Sequence, residues 1–235
     1  MWERHQQHKR QLLGEIRDRV GAHLREDTLL IGFARRAATY KRATLLIQDR
    51  EWLKARFEQD GLQLVFAGKA HPHDQYGQAF IEELVQTAKQ YPNNLVFLPN
   101  YDMHLGALLT RGTDVWLNNP IRPKEASGTS GMKAAANGVL NLSILDGWWD
   151  EGCAHGVNGW GVGAPPPDVD ADEHDYYALR GLLTDEVLPA YADRKQWTQM
   201  MRNAVASASE RFSSARLVRR YFDEMYLVSE PTAAS

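Results

Sequence analysis

The chain has 235 residues with a hydrophobic fraction of 43%, enough for one sizeable packed core and too apolar for a disordered or collagenous chain. Its 27 basic and 30 acidic residues leave a net charge of −3, so no global positive field directs it to nucleic acid or to an anionic membrane. The single cysteine, Cys153, closes no intramolecular disulfide and builds no thiolate metal site, which points to a reducing compartment.

No apolar run approaches the about 18 to 20 residues of a membrane-crossing helix. Met1–Arg10 is dense in His, Gln, Lys and Arg and lacks the apolar core of a secretory leader, so a cytoplasmic protein is expected. Leu12, Leu13, Ile16, Val20 and Leu24 recur at three- and four-residue steps, which predicts an amphipathic helix within residues 1–24. Short apolar runs then follow at Leu29–Ala34, Leu62–Ala67, Leu95–Leu98, Asp114–Leu117 and Val139–Leu145, each with the length and bulk of a buried strand. Segments such as Arg42–Glu58 and Gln75–Gln90 are long enough for crossover helices. The alternation predicts an α/β fold with a doubly wound, Rossmann-like parallel sheet.

After Asp146 a Trp- and Gly-rich stretch ends in Pro165, Pro166 and Pro167 and reads as a long loop. Helical texture returns over Tyr176–Tyr191 and Arg194–Arg211, and Ser213 and Ser214 are candidate N-caps of a last helix. Residues 25–228 are therefore expected to form the α/β domain with its terminal helices, and residues 229–235 a frayed tail.

Ligands of such sheets bind beyond the carboxyl ends of the strands, and three of the predicted loops there are unusual. Arg35, Arg36, Lys41 and Arg42 with Tyr40 place four cations after the first strand, a set suited to a phosphate dianion, with a solvated surface run as the alternative. Gly68 and Lys69 follow the second strand without the spacing of a phosphate-binding P-loop. His71, His73 and Asp74 read as solvated or capping residues, and no metal is assigned.

The third loop, Glu125-Ala126-Ser127-Gly128-Thr129-Ser130-Gly131-Met132-Lys133, runs into an alanine-rich helix expected to stop at Gly138. Amides and the positive helix end near Thr129 and Ser130 suit a phosphate. Lys133, one turn inside, is expected to be desolvated by packing, which lowers an amine's basicity and readies it for Schiff-base chemistry with an aldehyde. A capped helix with a snorkelling lysine is the alternative. Asp146, Asp150 and Glu151 around Trp148 and Trp149 admit a glycosidase-like reading, the less favoured one because such loops are common without catalysis.

Together these residues resemble the α-glucan phosphorylases, the family of glycogen, starch and maltodextrin phosphorylase. Arg36 with Tyr40-Lys41-Arg42, Gly68-Lys69-Ala70, Asn100-Tyr101, the Glu125–Thr129 string, Met132-Lys133 and Asn137-Gly138 occur in the family's order, from about Leu29 to Trp160, and Ser213–Tyr226 looks like its terminal helix. The resemblance implies the C-terminal half of a two-domain GT-B glycosyltransferase fold, with an N-terminal domain as the opposite wall of the cleft and homodimerisation as in many members. It implies pyridoxal 5'-phosphate carried by Lys133, with Arg35, Thr129, Ser130 and Tyr101 as its other contacts. Arg36 and Lys41 match residues that bind inorganic phosphate, and Tyr40, Glu125, Ser127 and Gly128 match neighbours of the glucosyl unit of an α-1,4-glucan. The implied reaction is release of α-glucose 1-phosphate, with Arg36, Lys41 and Lys133 as the catalytic set.

Larger members differ where this chain has Arg35 (lysine), Ala38 (histidine), Asp102 (arginine) and Ser130-Gly131 (Gly-Asn), so the likeness is to a shorter prokaryotic branch. Two alternatives stand beside it: a non-catalytic cofactor- or phosphate-binding module, and the donor half of a nucleotide-sugar glycosyltransferase.

Overall fold

The computed structural model describes residues 1–226; the expected frayed tail lies outside them. Six strands, β1 Leu30–Ala34, β2 Gln63–Ala67, β3 Leu95–Leu98, β4 Val115–Asn118, β5 Leu140–Ile144 and β6 Gly159–Val162, pair in parallel in the order β3-β2-β1-β4-β5-β6. The order reverses between β1 and β4, the crevice where doubly wound sheets bind ligands.

Strands β1, β2 and β5 are buried along their whole length, because both faces of the sheet are covered. On one face Leu30, Val65, Trp116 and Val139 pack with Leu12, Ile16, Leu105 and Leu109. These last four come from α1 (Trp2–Val20) and α4 (Met103–Gly112). On the other face Ile31, Phe33, Leu64 and Leu142 join a larger core that includes Trp52, Leu53, Trp160, Trp197 and Met201. Side chains that alternate along a strand feed the two layers in turn.

Helices α2 (Arg50–Gln59) and α3 (Gln75–Gln90) make the first crossovers, and α5 (Thr129–Ala136) and the short α6 (Trp148–Gly152) the later ones. The C-terminal helices are α7 (Ala171–Leu182), α8 (Leu188–Ala192), α9 (Arg194–Arg211) and α10 (Ser214–Tyr221), with a π-type turn, Leu183–Val187, joining α7 to α8.

Several boundaries depart from the sequence reading. The first helix ends at Val20, where Gly21 takes a left-handed φ of 69° and its N–H caps Arg17. The segment expected to begin a helix at Arg42 instead forms short turns at Thr39–Lys41 and Leu45–Ile47 before α2, since Arg42 itself has φ 48°. The stretch read as a loop after Asp146 holds α6 and the edge strand β6. No helix among the described residues is long and apolar enough to cross a membrane.

Candidate active site

The loops after β1 and β2 are tied by backbone: Arg35 N–H donates to Ala67 O at 3.1 Å and Ala37 N–H to Lys69 O at 3.0 Å. Gly68 makes this approach possible, because a Cβ there would stand 2.3 Å from Arg35 O. The loop after β4 docks on the same edge through Ile121 N–H, which donates to Tyr40 O at 2.8 Å. Residues far apart in sequence are thereby set side by side.

At their meeting point Glu125 is buried between two cations. Its Oε2 accepts from Arg35 Nη2 at 2.9 Å and from Lys41 Nζ, and all three side chains are about nine-tenths buried. Burial alone would push the Glu125 carboxyl up; Lys41 and Arg35 more than offset this and hold it below the usual carboxylate value. Burial lowers the Arg35 guanidinium, against the raising effect of Glu125. Among the described residues Arg35 Nη1 is buried and finds no acceptor. Lys41 Nζ also stands 4.4 Å from the centre of the Tyr40 ring, while Arg36 is exposed to solvent. The backbone of Glu125 is pinned, its N–H donating to Asp146 Oδ2 at 2.9 Å.

The fourth expected cation is not part of this cluster. Arg42 donates to Asp175 at 2.6 Å, to Asp172 at 2.7 Å and to the carbonyls of Asn119 and Pro120. Its charge is spent on α7, and it braces the loop rather than facing a ligand.

Helix α5 starts after Gly128, which takes φ 84°, a conformation that costs a glycine little. Ser127, Thr129 and Lys133 are exposed. The expected desolvation of Lys133 is therefore not met: its amine reaches an open cavity of about 360 Å³ between α4 and α5, lined also by Tyr101, Gly106, Thr110, Ser130 and Asn137. Burial raises the Tyr101 phenol, and the charge of Arg35 opposes that rise. Ser130 Oγ accepts from Trp116 Nε1 at 3.2 Å. Thr129 lines a separate cavity of about 660 Å³, on the flank of α5 toward α10, with Ser127, Trp148, Phe212 and Arg216. The pair expected to act together thus divides between two sides of the helix start.

Other candidates resolve into structural parts. Asp146 accepts the N–H groups of Glu125 and Gly147. Trp148 and Trp149 are buried in the core, Trp149 Nε1 donating to Trp160 O at 2.9 Å, so Trp149 offers no sugar platform and Trp148 only borders the cavity beside α10. Asp74 caps α3 through Gly77 N–H at 2.9 Å, and His71 and His73 are exposed. Sequence reasoning missed the role of Asp146; its only signal was its place just after β5, at the same sheet edge.

Residues 1–149 match the family model described as carbohydrate phosphorylase. The chain is 42% identical to the maltodextrin phosphorylase of Thermococcus litoralis over 96% of its length, covering 30% of that protein. It is 39% identical to the glycogen phosphorylase of Aquifex aeolicus, over 96% of this chain and 36% of that one. With the glycogen phosphorylase of Mycobacterium tuberculosis the identity is 44% over 85% of this chain and 25% of the relative. The chain thus spans between a quarter and roughly a third of these relatives' lengths. With the family model matched across more than half of its residues, at the sheet edge and helix start just described, the chain belongs to the carbohydrate phosphorylase family.

Proposed function

We propose that the chain is the catalytic C-terminal part of a pyridoxal-phosphate-dependent α-1,4-glucan phosphorylase, the half of a GT-B enzyme that holds cofactor and phosphate. The observation that carries the proposal is the placement of Lys133 and Tyr101 in one cavity, next to a cluster in which two buried cations share a single carboxylate oxygen. The residues fit the cofactor: an accessible primary amine, a neighbouring phenol and a buried guanidinium with one unused N–H donor suit an aldehyde that carries a phosphate.

In this reading Lys133 binds the cofactor, Tyr101 flanks it, and Arg35, Ser130 and the backbone amides at the start of α5, that of Thr129 among them, contribute to its hold, while the Thr129 side chain opens onto the other flank of the helix. Arg36 and Lys41 bind inorganic phosphate. Ser127, Gly128, Tyr40 and Glu125 face the terminal glucosyl unit. Pyridoxal phosphate held there would supply its own phosphate as a proton donor and acceptor; inorganic phosphate would replace the glycosidic oxygen at the anomeric carbon, the shortened glucan would leave with a proton on that oxygen, and the terminal unit would depart as α-glucose 1-phosphate with configuration retained. Two phosphates sit side by side only where fixed cations offset their repulsion, and the cluster at Arg35, Arg36 and Lys41 is such a set.

Arg36, Ser127, Thr129 and Lys133 stand open to solvent, so exclusion of water during turnover falls to a further wall that the relatives' additional length is long enough to supply. The test is glucose 1-phosphate release from maltodextrin and inorganic phosphate by the cofactor-loaded chain, alone and mixed with the separately expressed N-terminal portion of the Aquifex aeolicus relative. Release only in the mixture, lost with Lys133→Ala, is expected. Equal release by Lys133→Ala overturns the proposal.

A further inference from the structure

Two of the cations read as phosphate-binding, Lys41 for inorganic phosphate and Arg35 for the cofactor's phosphate, are already occupied. Glu125 Oε2 takes both Arg35 Nη2 and Lys41 Nζ, within a pocket that shields all three side chains from water. Two features show that this pairing leaves capacity over. Lys41 Nζ, which carries three donors, bonds Glu125 alone among the described residues, and Arg35 Nη1 is buried with no acceptor among them. An unmade donor of this kind costs free energy until an anion satisfies it.

A phosphate dianion reaching the same two cations would enter beside the carboxylate, and like charges repel more strongly in a water-poor site than in bulk. Glu125 has the means to yield. Its backbone N–H is fixed to Asp146, so the main chain stays in place while the side chain swings about its own torsions.

We propose that Glu125 is an internal anion that competes with inorganic phosphate for Lys41, and with a phosphate at the cofactor position for Arg35, holding both cations in place until phosphate displaces its carboxylate. This rests on the reading of the cluster as a phosphate site and adds a regulator to it. The sign of the consequence is distinctive. A carboxylate that only positions the cations would, on neutralisation, loosen them and weaken phosphate binding; a competing carboxylate would, on neutralisation, strengthen it.

The experiment is calorimetric titration of inorganic phosphate into the full chain and into Glu125→Gln, Arg36→Ala and the double variant Glu125→Gln/Lys41→Met. Glu125→Gln is expected to bind phosphate about ten- to a hundredfold more tightly, the scale on which a neighbouring like charge shifts an ionic equilibrium, and the double variant to lose that gain. If Glu125→Gln does not fold, Glu125→Asp withdraws the carboxylate by one methylene and is expected to give a smaller gain in the same direction. Equal or weaker binding by the folded Glu125 variant, with binding lost in Arg36→Ala, overturns the competition and leaves the phosphate site standing. Absence of saturable binding in every variant overturns both.

Discussion

At the amino edge of the sheet Lys9 donates to Thr28 O at 2.6 Å, Asp114 Oδ2 at 2.5 Å and Tyr191 Oη at 3.3 Å. Asp114 in turn accepts from His5 Nε2 and from Leu30 N–H, each at 2.8 Å. At the carboxyl edge, Arg35 and Lys41 share one oxygen of Glu125 and Arg35 keeps a donor unused. Both clusters are buried ion pairs, yet the first gives its lysine a full set of three acceptors and the second leaves donor capacity for another anion. Lys9 fastens α1 to the start of β1 and β4, so its charge serves the fold. On the proposed reading the charge at Arg35 and Lys41 serves a ligand, and the difference lies in whether the lysine and arginine donors are saturated rather than in burial; among the described residues the unpaired atom of the amino-edge cluster is His5 Nδ1.

The comparison breaks first at Asp114. Asp114→Ala strands a buried ammonium and is expected to cost about 3–5 kcal/mol in urea unfolding, while any phosphate or cofactor adduct formed by the surviving folded fraction is unchanged. A loss comparable to that of an exposed substitution would show that the amino-edge cluster is not a structural lock.

Acid sharpens the same contrast. Burial would raise the Asp114 carboxyl, but Lys9 and His5 outweigh it and the net shift is downward; Glu125 is depressed in the same way. A depressed carboxyl contributes stability above its unfolded value that is lost as pH falls through the folded one. Unfolding midpoints should therefore fall once pH drops below about 4, and Asp114→Asn should flatten that fall more than Glu125→Gln. An unaltered pH profile in Asp114→Asn contradicts the assignment.

Gly68→Ala drives a methyl into Arg35 O and is expected to cost about 1–3 kcal/mol and to weaken phosphate binding by moving the cluster. The smallest effect on stability belongs to Arg36→Ala: an exposed side chain, expected within about 0.5 kcal/mol of the parent, yet raising the phosphate KM of the reconstituted enzyme. An unchanged KM removes Arg36 from the site.

Five of the six strands were legible as apolar runs because a sheet covered on both faces needs continuous apolar residues. The strand β6 was not: Gly159, Trp160, Gly161 and Val162 carry two glycines, which strands ordinarily avoid. Gly159 is required because its φ is 150° and a Cβ would stand 2.5 Å from the backbone oxygen of Asn141, a constraint that exists only once the chain has folded. The motif from Glu125 to Lys133 was readable, and so was its likeness to a family. Which side of α5 each residue serves depends on how α4 and α10 flank that helix, and a local sequence cannot show it.

The amino-edge cluster left one faint trace. His5 and Lys9 fall on the same helical stripe as Leu12 and Ile16, and all four are buried. A lysine placed on an apolar stripe is a candidate for a buried ion pair. Arg42 misled for the converse reason: its neighbours in sequence are cations, and its carboxylate partners lie far along the chain in α7.

The central claim is that Lys133 is the cofactor lysine. The most direct measurement is incubation of the purified chain with pyridoxal phosphate, borohydride reduction and peptide mapping, with Lys133→Ala alongside. The account predicts a reduced adduct confined to Lys133, absent in a variant that remains folded. An adduct spread over surface lysines, or none on a folded chain, would contradict it.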